Sequence, residues 1–461
     1  MRDHEAYFKG EKITVMGLGL LGRGVGDVKF LAKCGAILTI TDLKPKAELK
    51  ESLEQLRGLK NIKFVLGKHR LRDFRHTGLV LKAAGVPLDS PFVREARRNK
   101  IPVEMSTALF AKLSPATIVG VTGTRGKSTV SAMIFRILKA AGRKAFLGGN
   151  TRGVSTLAHL SAQAGLPKSS KSEIAVLELD SWQLQGFGEA RLSPLVSIFT
   201  TFLRDHLIYY KGNLKKYLED KANIFKYQDR LTRTKNQKSI LIVGQQAVAV
   251  IKKNYPSHAK RAKVIRSEDL PRNWKLKIPG EHNRYNAALA LAAAKALGIR
   301  EGTIKKALED FKGVEGRLEL VREAKGVRIY NDTTATTPDA TLAALKALGG
   351  KKLKIVLIMG GSDKGLDFSE LLEALPKFCK AVVMLPGTGT EKIKLKVKSL
   401  KLKVIETPSL KEAVKEALRE SRRDDIILFS PAFASFGPLP AGFKNEFDRG
   451  DQFVKIISGI K

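Results

Sequence analysis

Short apolar runs recur along the chain, each followed by a polar or glycine-bearing turn and a stretch with helical spacing. "KITVM" (residues 12–16) precedes "GLGLLG", and "AILTI" (36–40) leads to Asp42. "ATIVGV" (116–121) precedes "TGTRGKST", and "EIAVLEL" (173–179) reads as a strand ending near Leu179. Farther on, "VRIYND" (327–332) and "KIVLIMGG" (354–361) read as strands ending in polar turns. Repeated strand, turn and helix predict an α/β protein. The pattern restarts twice, which predicts three blocks, residues 1–110, 111–315 and 316–461. No short solenoid-type repeat runs through them.

Two of the turns carry candidate chemistry. Gly17, Gly19 and Gly22 form a GxGxxG after a strand, and Asp42 lies 20 residues beyond Gly22. That spacing lets backbone approach a diphosphate at a helix N-terminus. A plain tight turn, a nicotinamide or flavin site, and a site for another nucleotide diphosphate are all compatible with it. The second turn holds Gly123, Gly126, Lys127, Ser128 and Thr129, ahead of a helix expected to begin near Ser128. Six residues before Lys127 stands Val121, and the glycine sits one place earlier, at Gly120. The spacing therefore departs from the common phosphate-binding loop. Either it is a flexible glycine turn without function, or its backbone N–H groups cradle phosphate, with Lys127 at the β/γ-phosphates and Ser128 at Mg²⁺; the strand–turn–helix context favours the second. Glu178, at a strand end, is either a Mg²⁺ ligand or a solvated carboxylate.

A third feature is a lysine on an apolar stripe. In "NLKKYLEDKANIFKY", Leu214, Tyr217, Leu218 and Phe225 share one helical face with Lys221. Such a lysine either snorkels to water or is a functional amine of lowered pKa, able to take up CO₂ as a carbamate and bind metal. His206, just upstream, either serves the same metal or is hydrogen-bonded to its neighbouring aspartate.

Composition narrows the field. The 461 residues are 43% hydrophobic, enough for several domain cores. No apolar run is long enough to span a bilayer, and the N-terminus lacks the apolar core of a signal peptide. Two distant cysteines, Cys34 and Cys379, suit a reducing cytoplasm rather than a disulfide framework. Net charge is +38, from 83 Lys+Arg against 45 Asp+Glu. Anionic partners are implied. The basic residues are spread along the chain without an aromatic-rich module, so no stable nucleic-acid or membrane partner is expected. The densest run, Glu391 to Val404, alternates lysine with apolar residues and predicts one solvated and one buried face. An oxidoreductase reading of the first turn leaves the turn at Lys127 unexplained.

Taken together, the motifs resemble the Mur ligase family over nearly the whole chain. Its loop, Gly-x-Thr-Gly-Thr-Asn-Gly-Lys-Ser/Thr, shares the offset glycine. "LELDSWQLQ", "RDHLIYYKG", "KANIF", "PGEHNRYNAALALAAAKALGI", "FKGVEGRLELV", "YNDTTATTPDATLAAL", "IMGGSDKGLDFSEL" and "SPAFASFGPLPAGFKNEFDRGDQF" are similar to later family motifs, in order. The resemblance implies an N-terminal Rossmann-like domain for UDP, a central P-loop ATPase α/β domain, and a C-terminal Rossmann-like domain. It also implies a cytoplasmic, monomeric enzyme joining D-glutamate to UDP-MurNAc-L-alanine with ATP. Another amino acid, or a folylpolyglutamate synthetase, is the neighbouring alternative.

By the same resemblance, Gly19, Leu20, Leu21, Asp42, Asn150 and His206 bind the UDP-substrate. Gly123, Thr124, Arg125, Gly126, Lys127, Ser128, Thr129, Asn283, Asn286, Arg317 and Asp332 bind ATP. Lys127, Glu178, His206 and Lys221 are catalytic. Ser128 and Glu178 would hold one Mg²⁺, and His206 with carbamylated Lys221 a second. Thr336, Lys364, Ser435 and Phe447 would receive glutamate, with Glu446 competing for the last place. Arg125 departs from the loop asparagine, Gly316 from a histidine and Thr334 from a lysine. Thr201, Arg204 and Ile208 depart around His206, and Gly437 to Gly442 read as an insertion.

Overall fold

The computed structural model describes residues 4–163, 173–206, 209–228, 238–350, 354–435 and 443–460. Ile208 and the segment Gly437 to Gly442 lie outside the described residues. Three sheets account for the apolar runs. The first holds β1 (Lys12–Met16), β2 (Ile37–Asp42), β3 (Ile62–Leu66), β4 (Leu79–Lys82) and β5 (Val103–Glu104), in the order β3-β2-β1-β4-β5. The second holds β6 (Thr117–Thr122), β7 (Ala145–Gly149), β8 (Ile174–Glu178), β9 (Val196–Phe199), β10 (Ile240–Gly244) and β11 (Lys263–Ile265), in the order β11-β10-β9-β6-β8-β7. The third holds β12 (Glu319–Ala324), β13 (Val327–Asn331), β14 (Ile355–Met359), β15 (Cys379–Met384), β16 (Lys403–Glu406) and β17 (Ile426–Phe429), in the order β12-β13-β17-β14-β15-β16.

The first two sheets are wholly parallel, and in the third only β12 runs antiparallel, against β13. Parallel strands covered on both faces need unbroken apolar runs. β8 and β14 fit this, with every residue buried. An α/β fold is therefore what the sequence pattern predicts and what the structure holds.

The chain forms two compact units. Met1–Leu270 with Asn286–Leu308 makes the first, and Pro271–Tyr285 with Glu309–Lys461 the second. One contiguous apolar cluster joins the first two sheets, running from Phe8, Leu31 and Leu81 through Phe110 and Leu177 to Phe225 and Ile251. The sequence break expected after residue 110 falls inside the helix Ser106–Leu113, whose residues Ala108, Leu109 and Phe110 belong to that cluster.

The lysine-rich run from Glu391 resolves into the helix Thr388–Lys398 followed by β16. Helical periodicity buries Ile393 and Val397, one turn apart, and turns Leu395 outward at 74% exposure. The two-residue alternation of lysine is therefore not the period that sorts this run.

Candidate active site

Strand register brings the central motifs to one sheet edge. Glu178 lies opposite both Val121 and Gly149, and Phe199 lies opposite Thr122. The carboxyl ends of β6, β7, β8 and β9 are thus neighbours, the usual ligand edge of an open α/β sheet. The turn after β6 carries Gly123 to Gly126, and the helix Lys127–Ala140 follows at once. Gly126 caps it at φ 85°, a left-handed conformation that favours glycine. Gly123 has φ 141°, and a Cβ there would stand 2.0 Å from Thr200 Oγ1 and 2.8 Å from the Thr201 nitrogen. Ser128 and Thr129 fall in the first helical turn. A Cβ on Gly126 would stand 2.5 Å from Asn286 Oδ1, so the Asn286 amide closes directly on the turn.

The turn is braced from β9. Thr124 N donates to Thr201 O (2.8 Å), Arg125 N to Thr201 Oγ1 (2.8 Å), and Thr200 Oγ1 to Arg125 O (2.5 Å). Arg125 Nη1 pairs with Asp205 Oδ2 at 2.8 Å. Burial pushes the Asp205 carboxyl up, but the charge and hydrogen bond of Arg125, with the His206 backbone N–H, outweigh it and hold the group well below the usual range. Asp205 Oδ1 accepts from the His206 N–H (2.8 Å), at a residue with φ 54°. Two departures, Arg125 and Thr201, therefore touch one another, while Arg204 is exposed.

Lys221 lies behind the turn. It sits in the helix Leu214–Ala222 with Tyr217 and Leu218 also buried, and is itself 1% exposed. Lys221 Nζ donates to Gly123 O (2.7 Å) and lies 4.9 Å from the Tyr217 ring centroid. Burial pushes this amine well below the ordinary lysine range, and the Lys127 charge adds to the effect. The amine does not snorkel to water. Burial likewise lowers His206, with Lys221 and Lys127 outweighed in part by Asp205. Lys127 Nζ donates to Thr124 O at 3.1 Å. Glu178 is buried, and its Oε1 takes a long 3.5 Å contact from Asn150 Nδ2. Among the described residues, no three His, Cys, Asp or Glu side chains form a ready cation cage.

The first sheet carries the other glycine turn. Gly22, at φ 79°, caps the helix Arg23–Lys33. Leu20 is 39% exposed on this turn, ahead of Leu21. Asp42 turns inward: its Oδ2 accepts from Leu18 N (2.9 Å) and Gly19 N (3.2 Å), and its Oδ1 from Lys44 N (2.9 Å). Asn150 follows β7, and its Oδ1 accepts from Arg23 Nη1 at 2.7 Å. Three residues here were not singled out by the sequence pattern. Arg23 is one. Lys82, 2% exposed, donates to the carbonyls of Ala83 (3.2 Å), Ala84 (3.3 Å) and Val86 (2.7 Å) and is pushed by burial down to about 7. Asp27 accepts from Ser106 Oγ (2.8 Å) and Ser155 Oγ (2.5 Å), and burial pushes it up to about 6. A lysine ending the apolar run "LVLK" was the available signal for Lys82.

In the second unit, Asp332 follows β13 and accepts from Leu318 N (3.1 Å) and Ser430 Oγ (2.8 Å). Burial pushes it up to about 7 against these bonds and against the exposed Arg317. Lys364 Nζ donates to Thr336 Oγ1 at 3.0 Å. Ser362 bridges to Ala434, which brings the Lys364 segment beside Ser435. Ser435 Oγ is buried and has no hydrogen-bond partner among the described residues. Phe447 lies at the start of the helix Glu446–Ser458. Arg449, 1% exposed, ties that helix to Thr333 O (2.9 Å) and Phe433 O (3.3 Å), a brace that sequence spacing did not reveal. Thr334 Oγ1 donates to Gly316 O (2.8 Å), so these two departures also touch. Asn283 belongs to this unit and donates from Nδ2 to Pro279 O at 2.7 Å.

A glycine turn closing on a helix N-terminus, with Lys127 at its foot and a buried carboxylate on the adjacent strand end, defines an α/β protein of the phosphate-binding-loop class. Residues 121–294 match the Mur ligase middle domain, and residues 316–433 the Mur ligase glutamate ligase domain. The chain belongs to the Mur ligase family, whose members are ATP-dependent ligases. It is 36% identical to the UDP-N-acetylmuramoylalanine–D-glutamate ligase of Roseiflexus sp. (strain RS-1), covering 98% of this chain and 99% of that protein. The like-named protein of Borreliella afzelii (strain PKo) is also 36% identical, over 97% of this chain and 98% of its own. Among solved structures, the UDP-N-acetylmuramate-alanine ligase MurC of Thermotoga maritima superposes with a TM-score of 0.62 at 19% identity, covering 98% of this chain and 100% of that one. The MurF ligase of Thermotoga maritima, solved with ADP, gives 0.55 at 17% identity, covering 98% and 95%.

Proposed function

We propose that this enzyme joins D-glutamate to UDP-N-acetylmuramoyl-L-alanine with cleavage of ATP to ADP and phosphate, a cytoplasmic step of peptidoglycan precursor synthesis. The observation that carries the reaction class is the meeting of the Lys127 turn, Glu178 and buried Lys221 at one sheet edge. The choice of substrates rests on the full-length relatives named for that ligase. No described helix is long and apolar enough to cross a membrane, which suits the cytoplasmic reading.

The reaction has two steps. The L-alanyl carboxylate attacks the γ-phosphorus of ATP, ADP leaves, and an acyl phosphate forms. The neutral amine of D-glutamate then attacks the acyl carbon, and the tetrahedral adduct expels inorganic phosphate as the amide forms. Lys127 and the N–H groups at the start of its helix neutralise charge on the phosphoryl group as it transfers. Arg125, pinned by Asp205, holds the turn in shape and adds positive potential. Gly123, Thr124, Gly126, Ser128 and Thr129 line the phosphates, while Asn286 approaches the turn from its helix. Asn283, Arg317 and Asp332 serve the nucleotide.

Magnesium, when bound, supplies charge neutralisation on the phosphate oxygens. Glu178 and Ser128 would hold one ion, and His206 with a Lys221 carbamate a second. The residues fit such groups on two grounds. His206 is held neutral by burial and so keeps a lone pair to offer. Lys221 is a buried amine whose depressed pKa frees the neutral form that CO₂ needs. Carbamylation of the neutral amine forms an N–C bond to CO₂, releases the amine's proton and leaves an anion beside Lys127. On the substrate side, Gly19, Leu20 and Leu21 approach the diphosphate, Asp42 orders their turn and reaches the uracil, and Asn150 and His206 hold the muramoyl part. Thr336, Lys364, Ser435 and Phe447 receive glutamate, and the buried Ser435 hydroxyl, without a hydrogen-bond partner among the described residues, supports this reading.

The test is phosphate release and product mass with UDP-MurNAc-L-alanine, ATP and Mg²⁺ against a panel of amino acids. D-glutamate alone should give a product heavier by one glutamyl residue. Turnover with L-glutamate and not D-glutamate would overturn the substrate choice, and no phosphate release with any amino acid would overturn the reaction.

A further inference from the structure

The two glycine turns are joined by a short polar relay whose first member, Arg23, the reaction scheme leaves unused. Arg23 is the first residue of the helix capped by Gly22. Its Nη1 donates to Asn150 Oδ1 at 2.7 Å, across 127 positions of sequence. The other end of the same amide, Nδ2, points at Glu178 Oε1 at 3.5 Å, and Asn150 N donates to Glu178 O at 2.8 Å. The segment between is fixed by backbone. A Cβ on Gly149 would fall 2.1 Å from Glu178 O, Gly153 N donates to Leu21 O at 3.0 Å, and a Cβ on Gly22 would lie 3.5 Å from the Gly153 Cα.

An amide has a carbonyl end and an N–H₂ end, and either can face a given neighbour. Here a guanidinium stands at one end and a carboxylate at the other. A flipped amide would set N–H₂ against the guanidinium and oxygen against the carboxylate, so both neighbours favour one orientation. Glu178 alone holds its end only by a long contact. Arg23 supplies the short, charge-assisted bond.

We propose that Arg23 is a positioning residue that sets which end of the Asn150 amide faces Glu178, and so ties the substrate-binding turn to the strand end of the phosphate site. This rests on the proposed function, in which Asn150 grips the nucleotide-sugar and Glu178 serves Mg²⁺. Removing the guanidinium leaves the Asn150 amide free to rotate and weakens substrate grip without touching the nucleotide turn.

The experiment compares wild type with Arg23→Met, Arg23→Lys, Asn150→Ala and the Arg23→Met/Asn150→Ala double variant. Each is checked for folding by thermal melt, for UDP-MurNAc-L-alanine and ADP binding by calorimetry, and for turnover. Arg23→Met should weaken UDP-MurNAc-L-alanine binding about tenfold and leave ADP binding within about twofold, with Arg23→Lys recovering most of the loss. Because Arg23 acts through Asn150, the double variant should be no worse than Asn150→Ala. Losses that multiply in the double variant, or an Arg23→Met protein with wild-type substrate binding, would overturn the proposal. Failure of the functional reading would show separately, as wild-type protein that does not bind UDP-MurNAc-L-alanine at all.

Discussion

After β1 the chain turns through Gly17, Gly19 and Gly22, and after β6 through Gly123 and Gly126; both turns end in a left-handed glycine that starts a helix. Their surroundings differ in sign. The first turn already has a carboxylate, Asp42, on the N–H groups of Leu18 and Gly19. The second carries basic side chains, with the cations Lys127 at its foot and Arg125 within it, and the buried amine of Lys221 behind it. Packing differs as well. A Cβ on Gly19 would meet nothing within 4 Å, whereas one on Gly123 would strike Thr200 and Thr201. The same backbone device therefore yields an open cradle shaped by an acid and a tightly braced cradle shaped by bases. The glycine motif specifies the turn. The neighbours specify what charge it suits.

The comparison breaks most sharply at Lys127. Lys127→Ala should lower ATP-dependent phosphate release by about 10³-fold. UDP-MurNAc-L-alanine binding, measured by calorimetry, should stay within about twofold; equal loss of both would mean the two turns do not divide the ligands. Next comes the buried amine. Lys221→Ala should lose about 10²-fold in turnover, with partial recovery on adding formate or acetate, while Lys221→Arg should stay inactive. Full activity of Lys221→Arg would show that a fixed cation is sufficient there.

Stability separates the turns at the next level. Gly123→Ala adds a steric collision to an unfavourable φ and should cost about 3 kcal/mol or more, against about 1–2 kcal/mol for Gly19→Ala, where only the conformation is strained. Chemical denaturation of both variants checks this, and equal losses would refute the contrast in bracing.

The smallest effect sharpens the first turn. Asp27 lies one helical turn beyond Arg23, and burial raises it to about 6. The unfolded carboxyl titrates near 3.8. A raised folded value means that the protonated form favours folding, so stability from this group is full below pH 4 and is lost as pH rises through 6. Asp27→Asn should therefore raise Tm by a few degrees, on the order of 2–4 °C, at pH 8 and leave it unchanged at pH 4. The reverse pH order in thermal melts would contradict this.

Much of this was legible in the letters. The run "KITVM" is β1 and all but the first residue of "ATIVGV" lies in β6, and the glycines after them take positive φ. The apolar stripe around Lys221 marked a buried face, because helical periodicity sorts residues before any partner is known. Other features were not legible. That the Asp42 carboxylate also caps the turn's own N–H groups is something linear spacing does not reveal. Arg23 and Arg449 were not singled out, since nothing local marks an arginine whose partners are carbonyls or amides more than a hundred positions away.

The departures from the family pattern make the same point. Arg125 and Thr201 looked unrelated, as did Gly316 and Thr334. Folding places each pair in contact, Arg125 N on Thr201 Oγ1 and Thr334 Oγ1 on Gly316 O.

By itself, the sequence determined the strands, the turns and the residue types at each strand end, because these follow from local periodicity and from the conformations glycine alone tolerates. Only the tertiary structure decided the charge around each turn, the depressed pKa of Lys221 and the pairing of Arg23 with Asn150. Those depend on burial and on distances of a few ångströms between segments far apart in the chain, and Coulomb and hydrogen-bond energies are set by such distances, not by order along the backbone.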